Sequence, residues 1–173
     1  MRIKWFSLIR ITGLLLVLLY HFFQTLFPGG FFGVDVFFTF SGFLITSLLL
    51  EEFEQKGKID ILGFFRRRFY RIFPPVVLMV LVVMPFTFLV RQDYVAGIGG
   101  QIAGVLGFMT NFYEMLTGGS YESQFIPHLF VHNWSLAVEV HYYVLWGLAV
   151  WFLAKRAKTS GQLRGMIFLL SSA

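Results

Sequence analysis

Long apolar runs alternate with short polar breaks along this chain. The first covers residues 7–27 and ends at Pro28-Gly29-Gly30, a turn-forming cluster. A second runs from Phe31 to Leu50, broken only by Asp35, and a hydrophilic stretch from Glu51 to Asp60 follows. Ile61–Phe73 mixes apolar residues with Arg66, Arg67, Arg68 and Arg71, and Asp60 is placed to cap a helix there. Pro74-Pro75 opens a charge-free run to Val90. Residues 95–116 are weaker, diluted by Gly97, Gly99, Gly100, Gly104 and Gly107. A polar loop, 117–133, carries His128 and His132. The last strong run is 134–154, stopped by Lys155-Arg156. The final apolar residues, Met166 to Leu170, are too few to span, so the chain reads as a truncated product or a fragment of a longer protein.

The period and length of these runs predict helices that cross a bilayer, each needing about 20 residues. The N-terminal run reads as a first span rather than a signal peptide. It has no Ala-x-Ala-like cleavage site, and Arg10 precedes its apolar core. Lys and Arg cluster before the first core, between Glu51 and Phe73, and after Ala154, whereas 28–33 and 117–133 have none. The positive-inside rule then puts the N-terminus and the basic clusters in the cytoplasm. A crossing at 95–116 would place Lys155 to Arg164 outside. Four crossings are therefore expected, at 7–27, 31–50, 74–90 and 134–154. They are joined by a cytoplasmic basic helix and a Gly-rich helix dipping in from outside. The fold class is all-α, an incomplete polytopic transmembrane bundle.

Composition agrees. Of 173 residues 57% are apolar and 13% charged, and 23 are Phe. That is too little charge to clothe a soluble globule, where about 25% is usual. A disordered chain and a nucleic-acid arm are disfavoured despite the net charge of +5. With no Cys there is no disulfide, thiolate metal site or Cys nucleophile. The scattered His21, His128, His132 and His141 have no metal-ligand spacing, and no metal is expected.

Ionisable groups inside spans are costly and therefore informative. Arg10 and His21 lie eleven positions apart, about 20° off a whole number of turns and about 16 Å along the axis, hence on one face. They could line a polar passage, or Arg10 could snorkel and His21 bond a neighbouring helix. Asp35, Thr39, Gly42 and Thr46 form a polar or small stripe. Close helix packing accounts for Thr39 and Gly42 but not Asp35. The Arg cluster reads as a topology and lipid-contact signal or as a phosphate site, since Arg68 and Arg71 are helical neighbours. Glu139 begins the last span, with Tyr143 and Trp146 on its face and His141 on another.

Four segments in this order resemble the integral-membrane acyltransferase 3 family. They are Arg10-Ile-Thr-Gly with Leu-Tyr20-His21-Phe; Gly29-Gly30-Phe-Phe-Gly33-Val-Asp35 through Ser41-Gly42-Phe-Leu-Ile-Thr; Phe65-Arg66-Arg67-Arg68-Phe-Tyr-Arg71-Ile-Phe-Pro74-Pro75; and Asn133-Trp134-Ser135-Leu-Ala-Val-Glu139. The resemblance makes residues 1–173 a partial family domain, similar to the N-terminal half of Gram-positive peptidoglycan O-acetyltransferases. It implies a multi-pass cell-membrane enzyme moving an acyl group, usually acetyl, from cytoplasmic acyl-CoA to a hydroxyl of an extracytoplasmic glycan. His21 would be the catalytic acid/base, Arg10 its electrostatic partner, and Glu139 an acceptor-side group. Arg68 and Arg71, with Arg67, would hold the CoA phosphates, and Asp35, Ser41 and Gly42 would line the passage. Expected partners are the lipid bilayer, the glycan acceptor and an extracytoplasmic transferase domain, with no nucleic acid. Val140 stands where the family commonly has a second acidic residue. The alternative is a transporter or channel half, or an inactive membrane remnant.

Overall fold

A computed structural model describes residues 4–87, 89, 97–117 and 128–172, the side chains of 4–7 and Arg10 excepted. Seven α-helices make up almost all of it: α1 (Lys4–Phe22), α2 (Gly33–Lys56), α3 (Ile61–Thr87), α4 (Ile98–Leu106), α5 (Thr110–Thr117), α6 (Trp134–Ala154) and α7 (Ser160–Ser171). Single 3-10 turns at Pro28–Phe32 and Val131–Asn133 lead into α2 and α6. Among the described residues, the stretches Pro28–Lys56, Ile61–Thr87 and Val131–Ala154 are long and apolar enough to cross a membrane, and Ile11–Phe22 is a shorter apolar helix. The protein is an all-helical, multi-pass membrane protein. It divides into two compact units, Met1–Gly57 and Lys58–Ala173.

In the first unit, α1 and α2 form a hairpin whose approach is set by glycine. The helix expected to reach residue 27 stops at Phe22, because the backbone tightens into turns at Phe23–Phe27 before Pro28 opens the 3-10 turn. A Cβ on Gly30 would fall 2.4 Å from the Leu16 carbonyl oxygen, and one on Gly33 2.6 Å from that of Gly13. Gly13 in turn sits under the Phe37 ring. The glycines thus let two backbones meet with no side chain between them. Asp35 and Thr39 are exposed and Gly42 half-buried, while Phe40, Ile45, Leu49 and Phe53 form the buried side of α2. Gly57, in the left-handed region at φ 66°, ends the helix by donating its N–H to the Phe53 carbonyl.

In the second unit, α3 departs from expectation. The basic segment and the apolar run after it are one helix of 27 residues, continuous through Pro74, Pro75 and Pro85. Asp60 caps it, its Oδ1 accepting the Gly63 N–H at 2.9 Å. Prolines forfeit local backbone bonds, but in an apolar setting unwinding would strand many more polar groups, so the helix persists. The Gly-rich segment is likewise not one dipping helix. It is a hairpin of α4 and α5, about 14 and 12 Å long, each far short of a bilayer. The chain reverses at Gly107–Met109, where Phe108 adopts φ 53°, rare for an aromatic residue. Tyr113 of α5 lies on Gly100 of α4, where a Cβ would meet its ring at 2.8 Å, and its hydroxyl donates to the Gly97 carbonyl. Val76, Val80, Val105 and Phe130 form the core between α3 and the hairpin. Thr159 caps α7, which buries Leu163 and Ile167.

Gly30→Ala and Gly33→Ala should each destabilise the detergent-solubilised protein by about 1–3 kcal/mol, as overpacking does. Gly29→Ala, whose Cβ would lie 4.0 Å from the nearest atom, should be nearly neutral. Thermal unfolding of the three variants checks this; equal losses would show that close approach is not what the glycines supply.

Candidate functional site

The sequence places two constellations, one in each unit. In the first, His21 lies near the end of α1, and its Nδ1 is 2.8 Å from the Val17 carbonyl oxygen. A carbonyl only accepts, so Nδ1 carries a proton in this contact. The ring is exposed and stands edge-on to Tyr20 at 5.7 Å. Arg10 lies in the same helix, but its side chain is outside the described residues. Asp35 occupies the first turn of α2, and Ser41 and Gly42 are half-buried two turns further on.

The second constellation is more tightly built. Gly147 of α6 receives Phe64, Phe65 and Ile61 of α3 at 3.1–3.6 Å from where a Cβ would stand. This contact sets α3 close on α6 and lays Arg68, one turn beyond Phe64, over Tyr143, one turn before Gly147. The guanidinium is 5.7 Å from the Tyr143 ring centre and 5.6 Å from that of Phe64. Tyr143 is buried, and its hydroxyl donates a short hydrogen bond to Glu139 Oε1. Arg68 and Glu139, assigned from sequence to different tasks, are therefore linked through one phenol. Arg68 also separates from its neighbours: it is half-buried, whereas Arg66, Arg67 and Arg71 are exposed. Tyr143 is the tenth residue of α6, so Arg68 stands level with the middle of that helix rather than at its end. The lipid-contact reading suits the three exposed arginines and does not suit Arg68.

A cavity of about 290 Å³ opens beside this trio. Phe65, Phe69, Ile72, Phe108 and Val144 supply apolar wall, and Arg68 is its charged lining residue. Val140 also faces it, on the helix position next to Glu139. The strained backbone at Phe108 has a purpose here, because it turns that ring toward Phe73 and the cavity.

Sequence reasoning missed one polar cluster. Glu114 of α5 and His128 lie 2.6 Å apart, with side chains only 9% and 10% exposed. Gln101, fully buried on α4, accepts the Phe130 N–H through Oε1. Thr110 Oγ1, Asn111 Oδ1 and Glu114 Oε1 are buried without a hydrogen-bond partner among the described residues. The i, i+4 spacing of Thr110 and Glu114 was the available signal; the partner of Glu114 is fourteen residues away and no pattern announces it. Among the described residues no three His, Asp or Glu gather as for a metal ion.

A half-buried cation over phenol and phenyl rings, the phenol bonded to a carboxylate beside an apolar cavity, defines a membrane-helix protein with a polar cluster set in apolar surroundings. A family model described as an acyltransferase domain matches residues 3–172, and the chain belongs to that family. It is 34% identical over 150 residues to the O-acetyltransferase OatA of Staphylococcus aureus strain NCTC 8325 / PS 47, a match covering 87% of this chain and 25% of that protein. The OatA proteins of strains COL and MRSA252 match at the same identity and coverage. The chain thus spans about a quarter of the length of these curated relatives. No solved structure matches it.

Removing either partner of the Glu114–His128 pair should cost about 1–3 kcal/mol, because a buried polar group is left without its hydrogen bond. The double variant Glu114→Leu/His128→Phe should be more stable than either single. Thermal unfolding of the three gives the coupling, and strictly additive losses would refute it.

Proposed function

We propose that this chain is part of a membrane O-acyltransferase that moves an acetyl group from acyl-CoA to a hydroxyl of an extracytoplasmic cell-wall or surface glycan. The observation that supports this reading is an exposed His21, its Nδ1 held on the Val17 carbonyl, on the first helix of an acyltransferase-family chain whose OatA relatives are named O-acetyltransferases. Nε2 of the neutral ring takes the proton of an attacking hydroxyl. The hydroxyl oxygen bonds the thioester carbonyl carbon, the carbon–sulfur bond breaks, and the imidazolium returns its proton to the leaving thiolate. Arg10 stabilises the negative charge that develops in this exchange. Glu139 serves on the acceptor side, and Asp35, Ser41 and Gly42 line the route beside His21. Arg67, Arg68 and Arg71 engage the donor. The N-terminus and the basic segments lie in the cytoplasm, where the donor is made, in accord with the distribution of Lys and Arg. An extracytoplasmic transferase domain is the expected recipient or relay for the acyl group.

His21→Ala in the full-length protein should lower glycan acetylation by about 10²–10⁴-fold, the usual weight of a general base. Acetyl ester released from purified wall or surface glycan is the measurement, with membrane insertion checked in parallel. Normal ester content in the inserted variant would end the assignment.

A further inference from the structure

Positive charge at the end of α6 has no acidic counterpart nearby in sequence. No Asp or Glu follows Glu139, whereas Lys155, Arg156, Lys158 and Arg164 all do. The earlier basic segment differs, because Glu51, Glu52, Glu54 and Asp60 lie within it or beside it. Lys155, Arg156 and Lys158 are exposed, and none is ion-paired with a carboxylate among the described residues. We propose that these three cations bind the phosphate of an anionic phospholipid whose acyl chain lies along α6. Lipid binding here requires none of the acyl-transfer groups named above.

Three features point to an amphiphile rather than a soluble anion. First, Leu145, Leu148 and Phe152 are exposed and recur at i, i+3 and i+7, which makes one apolar face of the helix. Arg156 comes eleven positions after Leu145, about 20° off a whole number of turns, so a cation closes that same face. The Lys155 N–H donates to the Trp151 carbonyl and the Ala157 N–H to that of Leu153, which carries the helical winding that far. Second, eleven residues rise about 16 Å, close to the depth of one leaflet in a hydrocarbon core about 30 Å thick. Third, aromatic rings hold the cations where the apolar run ends. Lys155 Nζ lies 3.7 Å from the centre of the Trp151 ring, and the Arg156 guanidinium 4.3 Å from that of Phe152. Each ring is one turn back toward the apolar side, and Trp suits the level of lipid headgroups. A ring on one side of an ammonium or guanidinium leaves N–H donors for phosphate oxygens. Lys158 is held beside them in the turn before α7, where its backbone N–H donates to Gln162 Oε1 at 2.8 Å. A soluble phosphate would engage the cations and leave the apolar face empty. A zwitterionic lipid would set a cation of its own against three others.

Native mass spectrometry of the detergent-solubilised full-length protein, titrated with phosphatidylglycerol or phosphatidylcholine of equal chain length, tests this. The wild type should retain phosphatidylglycerol in preference to phosphatidylcholine. Lys155→Gln/Arg156→Gln/Lys158→Gln should weaken that retention about a hundredfold, at about fivefold for each cation removed. Lys56→Gln/Lys58→Gln, which removes charge from the segment rich in carboxylates, should leave it unchanged. Should the triple variant fail to insert, Arg156→Gln alone, which keeps the neighbouring cations, should give about a fivefold loss. Equal retention of the two lipids by the wild type would overturn the proposal. So would undiminished retention in the α6 variants, or an equal loss in Lys56→Gln/Lys58→Gln. Displacement of the lipid by coenzyme A would make the site one for a soluble phosphate and overturn it as well.

Discussion

A guanidinium set against the middle of α6, a helix built for lipid, must be held by the protein itself, and the second unit is organised around that demand. Charge at that level is costly unless it is paired or stacked. Arg68 lies over the rings of Phe64 and Tyr143, and Tyr143 passes the connection to Glu139 by its hydroxyl. The cavity is the space beside this group, with Phe108, at the reversal between α4 and α5, in its lining. Cation–π contact is suited to the place. It holds a charge without a second charge, and so without the full desolvation of a buried ion pair.

Glycine supplies the other half of the design. Gly30 and Gly33 let the start of α2 lie on the carbonyls of α1, Gly100 seats Tyr113, and Gly147 admits Phe64. In each case the missing Cβ brings a neighbour within van der Waals distance of backbone, where packing replaces the weak hydrophobic drive between helices in lipid. The last contact also sets the level at which Arg68 meets Tyr143.

The two units carry different chemistry. The first presents an exposed histidine bonded through Nδ1 to its own helix, and a polar stripe on the helix beside it. The second presents a stacked cation, a held carboxylate and an apolar chamber.

Run length, basic clusters and the four short segments were enough to specify an all-helical membrane chain, its family, and the residues worth watching. Hydropathy and charge act locally and one residue at a time, so they are legible without a fold. The same local reasoning broke the chain at Pro74 and drew 95–116 as one helix, because it could not weigh a proline's lost bonds against the cost of unwinding in apolar surroundings. It read four arginines as one cluster. Only packing distinguished Arg68 from the other three, for a side chain's surroundings depend on what a distant helix brings. Gly147 and Tyr143 lie more than seventy residues further along the chain. The pairing of Glu114 with His128 was hidden for the same reason: an ion pair is a relation between positions that the fold alone brings together.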